Sequence, residues 1–300
     1  MPHYTMIALR TMTPSFRASC LTAATLRRSL MAIHVLVAVA LCIISAPVYA
    51  TSEHPSSELA EAASERTLPV LKPLLQAKKL RLGSPVFIRI FKSSYELELW
   101  MMSSKGYFEH FKTYIICHFS GGLGPKLKEG DRQSPEGFYL VDKDQLNPWS
   151  SQHLAFNIGY PNEYDRYHRR TGSAIMVHGK CVSTGCFAMT NYNIEQIYTL
   201  VDAAIKGGQQ AFWVHVFPFR LTRKNLAAHT QSRWHPFWTQ LKKGFDLFEY
   251  YRTPPHIGVE NGAYTFNAPP PVANTNDSSA TTLSLSPPTH HNIWPRQSAQ

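Results

Sequence analysis

Apolar positions change rhythm several times along this chain, and each change marks an element. An apolar run from Ala32 to Ile44 follows Arg10, Arg17, Arg27 and Arg28 and leads into Val48-Tyr49-Ala50. The run is too short to span a bilayer comfortably, and small residues stand where a signal peptidase reads, so residues 1–50 are expected to be a cleaved export signal. Residues 51–84 read as a linker and helix. Ser52 to Glu65 is polar and Ala/Glu-rich, and Leu68, Leu71, Leu74 and Leu75 recur at helical spacing, with Pro69 and Pro73 opposing it. From Pro85 the period falls to two. Val86 to Phe91 and Glu96 to Met101 read as strands joined at Ser93-Ser94, and Phe111 to Cys117 as a third.

A loop rich in Gly, Pro and Lys follows, Ser120 to Asp131, and Ser134-Pro135-Glu136-Gly137 turns into another strand. No Gly-Lys-Ser/Thr closes the loop, so it is not a phosphate loop. Leu154 to Tyr160 reads as a strand, Asp165 to Arg170 as a charged loop, and Ala174 to Val177 as a short buried strand ending at His178. Ile194, Ile197, Leu200, Val201 and Ala204 form the apolar stripe of a helix that Asn191 or Asn193 could cap and Gly207-Gly208 stops. Ala211 to Phe217 closes the main domain as a strand. Phe237, Trp238, Leu241, Phe245 and Phe248 then predict a helix, and Asn261-Gly262 a tight hairpin. The expected organisation is a catalytic domain over 85–222, an accessory helix and hairpin over 223–266, and a Pro/Ser/Thr/Asn-rich disordered tail over 267–300.

Composition alters this picture in two ways. The net charge is +10, and removing residues 1–50 leaves 26 basic against 20 acidic side chains. Such a mild excess suits an acidic polymer or a membrane surface, and the lack of a dense basic stripe interleaved with aromatics argues against nucleic acid. Of five cysteines, Cys20 and Cys42 lie in the leader, leaving Cys117, Cys181 and Cys186. An odd number leaves at least one thiol unpaired in an oxidising envelope. A Cys117–Cys181 bridge with Cys186 free is open on geometry, and nothing in the sequence establishes it.

The chemistry concentrates in Ile175 to Met189. A thiol becomes a nucleophile when a base or a positive field makes it a thiolate, and a histidine at a strand end supplies such a base if the following loop folds back. His178 and Cys186 are therefore the candidate base and nucleophile. Gly185, Gly179 and Ser183 are candidate supports, with backbone N–H groups near Gly185 and Cys186 available to an oxyanion. His215 is a lower-ranked second base. Two other readings compete: Cys186 as a small core residue, and His178, Cys181 and Cys186 as zinc ligands, although their spacing matches no common zinc pattern.

His178-Gly179, a short spacer and Ser183-Thr184-Gly185-Cys186 resemble the active-site signature of the L,D-transpeptidase (YkuD-domain) family. The resemblance extends over roughly Pro85 to Phe266 and implies an α+β fold, a mostly β sandwich or barrel with flanking helices. It also implies that Cys186 is the nucleophile and His178 its base. Thr184 stands where most members have histidine, and Phe187-Ala188-Met189 where most have an arginine. Both departures, with the short spacer, the Ser120–Asp131 loop and the aromatic C-terminal part, resemble the YafK-type branch, some of whose members hydrolyse a peptidoglycan–protein link. Because the usual arginine is missing, Arg170 or Arg169, and with less weight Lys126, become candidates for a substrate carboxylate.

The function expected from the resemblance is acyl transfer on meso-diaminopimelate-containing peptidoglycan stem peptides through a Cys186 thioester, in cell-wall cross-linking or remodelling. The alternatives are a hydrolytic amidase that releases a peptidoglycan-linked protein, a non-catalytic wall-binding module and a zinc-dependent hydrolase. The family chemistry requires no metal or cofactor. The expected location is the periplasm or cell envelope, with membrane contact only through the signal segment if it is uncleaved. Cleavage after Ala50 is checked by N-terminal sequencing of exported protein; a mature chain that keeps Val35 overturns it.

Overall fold

The computed structural model describes residues 54–269. The predicted signal and nearly all of the predicted tail lie outside the described residues. The first element, α1 (Glu58–Ala77), is a single helix capped by Ser57, whose side chain accepts from the Ala60 N–H at 3.2 Å. It runs through both prolines. Pro69 and Pro73 are exposed, so the carbonyls they leave unbonded can face water, which reduces the usual penalty. The buried stripe is Ala60, Ala63, Thr67, Leu71 and Leu75, while Leu74 stays exposed.

Two five-stranded sheets follow. The first is built from β1 (Val86–Phe91), β2 (Glu96–Met102), β3 (Phe108–Ile115), β5 (Gly137–Asp142) and β10 (Ala211–Phe217), in the order β3-β2-β1-β10-β5. Only β1 and β10 pair in parallel, with Ile88 opposite Val214. The second contains β4 (His118–Phe119), β6 (Leu146–Asn147), β7 (Ala155–Asn157), β8 (Met176–His178) and β9 (Phe187–Ala188), in the order β4-β9-β8-β7-β6.

Period-two alternation sorts the side chains of the first sheet between two cores. Val86, Ile88, Ile90, Leu97, Leu99, Val214 and Val216 join Phe156, Val177 and Phe187 of the second sheet. They share that core with α1 and with α3 (Asn191–Lys206). Across the α1–α3 contact the Thr67 and Thr199 hydroxyls meet at 3.0 Å. The opposite face of the first sheet carries Phe87, Phe91, Phe138 and Phe217 against the C-terminal part. That part comprises α4 (Arg223–Ala227), α5 (His235–Tyr251) and the hairpin β11 (His256–Glu260) and β12 (Ala263–Asn267). A sheet buried on both faces explains why β1 is apolar at nearly every position.

Two local expectations change. The segment predicted as a charged loop from Asp165 begins inside α2 (Glu163–Tyr167), nucleated by a capping box between Asn162 and Asp165. The cap of α3 is Thr190, whose Oγ1 accepts from the Asn193 N–H at 3.4 Å, rather than Asn191 or Asn193. Among the described residues no helix is long and apolar enough to cross a membrane.

The long connection from Phe119 to Gly137 has no regular structure, and a buried ion pair holds it. Lys92 Nζ donates to Glu136 Oε1 at 3.0 Å, to the Gly124 carbonyl at 2.8 Å and to the Ser134 carbonyl at 3.0 Å. Glu136 also accepts from the Gly124 N–H at 2.7 Å and from Trp238 Nε1 at 2.7 Å. Glu136→Ala should lower the unfolding free energy by about 3–5 kcal/mol, because it strands a buried ammonium. Chemical denaturation measures the change, and an unaltered midpoint would show that water compensates the charge.

Candidate active site

β8 and β9 are parallel neighbours, with Val177 opposite Phe187 and His178 opposite Ala188. Val177 and Phe187 point into the core, so alternation puts Met176 and His178 on the other face of the second sheet. Cys186 precedes β9 by one residue and falls beside Met176, whose N–H donates to Cys186 Sγ at 3.3 Å. His178 is two residues further along the strand, roughly 7 Å in the strand direction. The thiol and imidazole are thus brought to one face of the two strands, Cys186 beside the first residue of β8 and His178 at its last.

The states of the two groups follow from their surroundings. The Gly179 carbonyl can only accept, so His178 Nδ1 donates to it at 2.6 Å, and the ring carries its acceptor lone pair on Nε2. Burial holds the imidazolium below the ordinary histidine range; the Gly179 carbonyl opposes that shift and the Lys180 charge adds to it. Burial pushes the Cys186 thiol up, against the Met176 N–H and the charge of Lys126. Sγ also lies 3.6 Å from the Ala174 carbonyl, an acceptor that suits S–H and disfavours thiolate. At neutral pH this is a neutral pair rather than an imidazolium–thiolate pair.

A ring of hydroxyls holds the Cys186 peptide. Ser183 Oγ donates to the Cys186 carbonyl at 2.8 Å and accepts from the Gly185 N–H at 3.0 Å. Its one proton is thereby used, so at the 2.9 Å contact between the two hydroxyls Ser120 is the donor. Ser134 Oγ donates to the same Cys186 carbonyl at 3.2 Å and accepts from the Ser120 N–H at 3.1 Å. Ser120 and Ser134 were not singled out from the sequence, since they lie more than 50 positions from Cys186 and only the folded loop brings them in. The Gly185 N–H is occupied by Ser183 and is therefore not an open oxyanion donor in this state.

The glycines have separate reasons. Gly185 has φ +145°, where a side chain is strained, and a Cβ there would lie 3.2 Å from Ile175 Cδ1. A Cβ on Gly179 would come within 2.7 Å of the Gln152 carbonyl oxygen and 2.8 Å of Asn191 Oδ1. Close packing, not conformational freedom, requires glycine at 179.

The other candidates change role. Arg170 is buried; its Nη1 bonds Asp165 Oδ1 at 2.7 Å, and its guanidinium lies over Tyr164 and Phe237, joining α2 to α5. It is therefore not a solvated cation awaiting a carboxylate. Arg169 is exposed, with no ion-pair partner among the described residues. Lys126 is also buried, bonded to Asp131 Oδ1 at 2.6 Å and to the Lys128 carbonyl at 2.9 Å, and it reaches Cys186 as a charge. His215 is fully buried on the far face of the first sheet among aromatic rings, with neither ring nitrogen hydrogen-bonded, and is removed as a second base. Cys181 is bonded to Cys117, with the two Cα atoms 5.4 Å apart. That bond removes Cys181 from any zinc set and leaves Cys186 as the free thiol among the described residues.

Comparison with known proteins bears on the family. Residues 112–216 match the L,D-transpeptidase catalytic domain family YkuD. YafK of Escherichia coli (strain K12), classed by name with the L,D-transpeptidases, is 45% identical over 207 residues, covering 69% of this chain and 82% of YafK. YafK of Escherichia coli O157:H7 gives the same figures. Among solved structures, the helical cell shape determining protein Pgp2 from Campylobacter jejuni aligns at 17% identity over 64% of this chain and 80% of that chain, with a TM-score of 0.35. Identity of this extent over most of a relative's length, joined to the domain match, makes this chain a member of the L,D-transpeptidase family.

Proposed function

We propose that the protein is an exported cysteine acyltransferase of the cell envelope that acts on meso-diaminopimelate-containing stem peptides of peptidoglycan. Cys186 is its nucleophile and His178 its base. The observation that carries this reading is the β8–β9 register. It sets Cys186 Sγ on the Met176 N–H, on the face that bears His178, while Nδ1–H is committed to Gly179 and Nε2 is left to take a proton. The family to which the chain belongs acts on peptidoglycan, which supplies the substrate class. The Cys117–Cys181 bridge fits an oxidising compartment.

The chemistry begins from the neutral pair. As the substrate amide approaches, His178 Nε2 takes the thiol proton and sulfur attacks the carbonyl carbon. The Met176 N–H, already directed at Sγ, steadies the forming thiolate, and the Lys126 charge acts in the same direction. With the Gly185 N–H engaged, the Cys186 N–H is the donor proposed for the tetrahedral oxyanion, an interaction worth about 3–4 kcal/mol. His178 then passes its proton to the leaving nitrogen, the C–N bond breaks, and a thioester and a free amine remain. A second amine gives a new amide, and water gives hydrolysis. Cys186 is only partly buried, so water can reach the thioester; this favours hydrolysis, with release of a peptidoglycan-linked protein or peptide, as the second reading. Arg169 is the cation proposed for a substrate carboxylate.

Two measurements test the reading. Incubated with purified cell-wall fragments and followed by mass spectrometry, Cys186→Ala should abolish product formation. The Cys117→Ala/Cys181→Ala pair should retain most of it while losing about 2–4 kcal/mol of stability. The reverse pattern would assign the chemistry to the wrong sulfur. Joined products indicate transpeptidation, and released peptide or protein indicates hydrolysis. Alkylation of Cys186 by iodoacetamide should accelerate through and beyond the ordinary thiol range as pH rises, since the thiol is pushed up. A rate plateau reached near the ~4 of paired protease thiols would replace the neutral pair with an ion pair.

A further inference from the structure

We propose that Asn191 is a positioning residue for the base, setting the tautomer and direction of the His178 imidazole through the Gly179–Lys180 peptide unit. The inference rests on the reading of His178 as the base. The Gly179 carbonyl and the Lys180 N–H belong to one peptide group, which is planar and trans, so they point in opposite directions and turn together. The carbonyl accepts from His178 Nδ1 at 2.6 Å, and the N–H donates to Asn191 Oδ1 at 2.8 Å. Fixing one end of that plane fixes the other. An acceptor on the N–H also polarises the carbonyl and strengthens its hold on Nδ1–H.

The surroundings leave the plane little freedom. The Gly179 N–H donates to the Leu154 carbonyl at 3.1 Å, and the Met189 N–H to the His178 carbonyl at 2.8 Å. The Thr190 N–H donates to the Lys180 carbonyl at 2.8 Å. A Cβ on Gly179 would press on Asn191 Oδ1 at 2.8 Å, so the amide sits directly against the turn.

The strongest sign that this contact is built is Thr190. It has φ 67° and ψ 158°, a region that is essentially glycine's, yet the residue is β-branched. Strain of this kind persists where the surrounding structure over-determines it. Here it turns the chain sharply from β9 into α3, so that the first residue of the helix folds back onto the connection after His178. Asn191 is itself exposed, so its bond contributes direction more than energy.

Charges near His178 come from several elements. Lys180 lies on the same turn, and His153, which comes against Gly179 from the preceding loop, pairs with Glu195 of α3, itself paired with Arg66 of α1. Cys186 and Lys126 are on the thiol side. Replacing Asn191 by Asp keeps the acceptor and adds a negative charge one peptide group from the ring, which favours imidazolium. At the first position of a helix an aspartate is also well tolerated.

The test combines kinetics on cell-wall fragments with nitrogen-15 NMR of the imidazole in the purified full-length protein. Asn191→Ala should lower kcat roughly 10-fold with KM unchanged, a fraction of the 10²–10⁴-fold that a general base contributes. Its His178 should populate the Nε2–H tautomer. Asn191→Asp should keep kcat within about twofold and the Nδ1–H tautomer, while the acid limb of the rate profile and the imidazole titration move to higher pH. If Asn191→Ala shows the wild-type tautomer and titration, whether or not its activity falls, the proposal is overturned. The NMR arm needs no substrate, so failure of wild-type protein to act on wall fragments would count against the proposed function and leave this test readable.

Discussion

The Lys92–Glu136 pair is the constraint on which the rest of the site depends. It is fully buried, and its hydrogen bonds reach the backbone of Gly124 and Ser134 and the indole of Trp238. A long irregular loop would otherwise carry its polar backbone into the interior at high cost. The ion pair satisfies that backbone and holds Ser134 against the Cys186 carbonyl and Ser120 against the Ser183 hydroxyl. The same carboxylate ties α5 to the loop. A C-terminal helix far from the thiol in sequence is thereby coupled to the thiol's orientation. Glu136 lies in the turn from the loop into β5, read from the sequence as a connection, and its burial has no signature in composition or spacing.

Much of the fold was legible because its signals are periodic. Alternation around Leu97, Leu99 and Met101 placed β2, the apolar stripe from Ile194 to Ala204 placed α3, and Asn261-Gly262 marked the last hairpin. Leucine spacing gave α1 although Pro69 and Pro73 opposed it; both prolines face solvent, and packing of the opposite face decided the helix. The readings that changed share a cause. Arg170 belongs to a run that reads as exposed, yet Asp165 and two aromatic rings draw it inside. For a charged residue, the fate is set by partners distant in the chain, and a one-dimensional pattern does not contain them. That the candidate thiol and imidazole share one sheet face was legible since motif, strand end and glycine turn lie within twelve residues, whereas the hydroxyls that orient the thiol's peptide came from another loop.

The Cys117–Cys181 bridge and α3 divide the control of the connection between them. The bridge fixes its middle to the strand at the edge of the second sheet, and the Cys117 N–H adds a bond to the Ala188 carbonyl at 2.7 Å. The start is held at Gly179 by Leu154 and at Lys180 by Thr190 and Asn191, and the end at Gly185 by Ser183. A connection of eight residues pinned at three places loses most of its entropy on folding. Order of this kind suits a neutral resting pair. An ion pair is held together by its own attraction, whereas a neutral thiol and imidazole attract each other weakly. Their directions must be set by neighbours, and here each is: Sγ by the Met176 amide and the Ala174 carbonyl, Nδ1 by the Gly179 carbonyl. The backbone therefore takes over the task that charge performs in more polar sites, which is why so much of the surrounding hydrogen bonding ends on main-chain atoms.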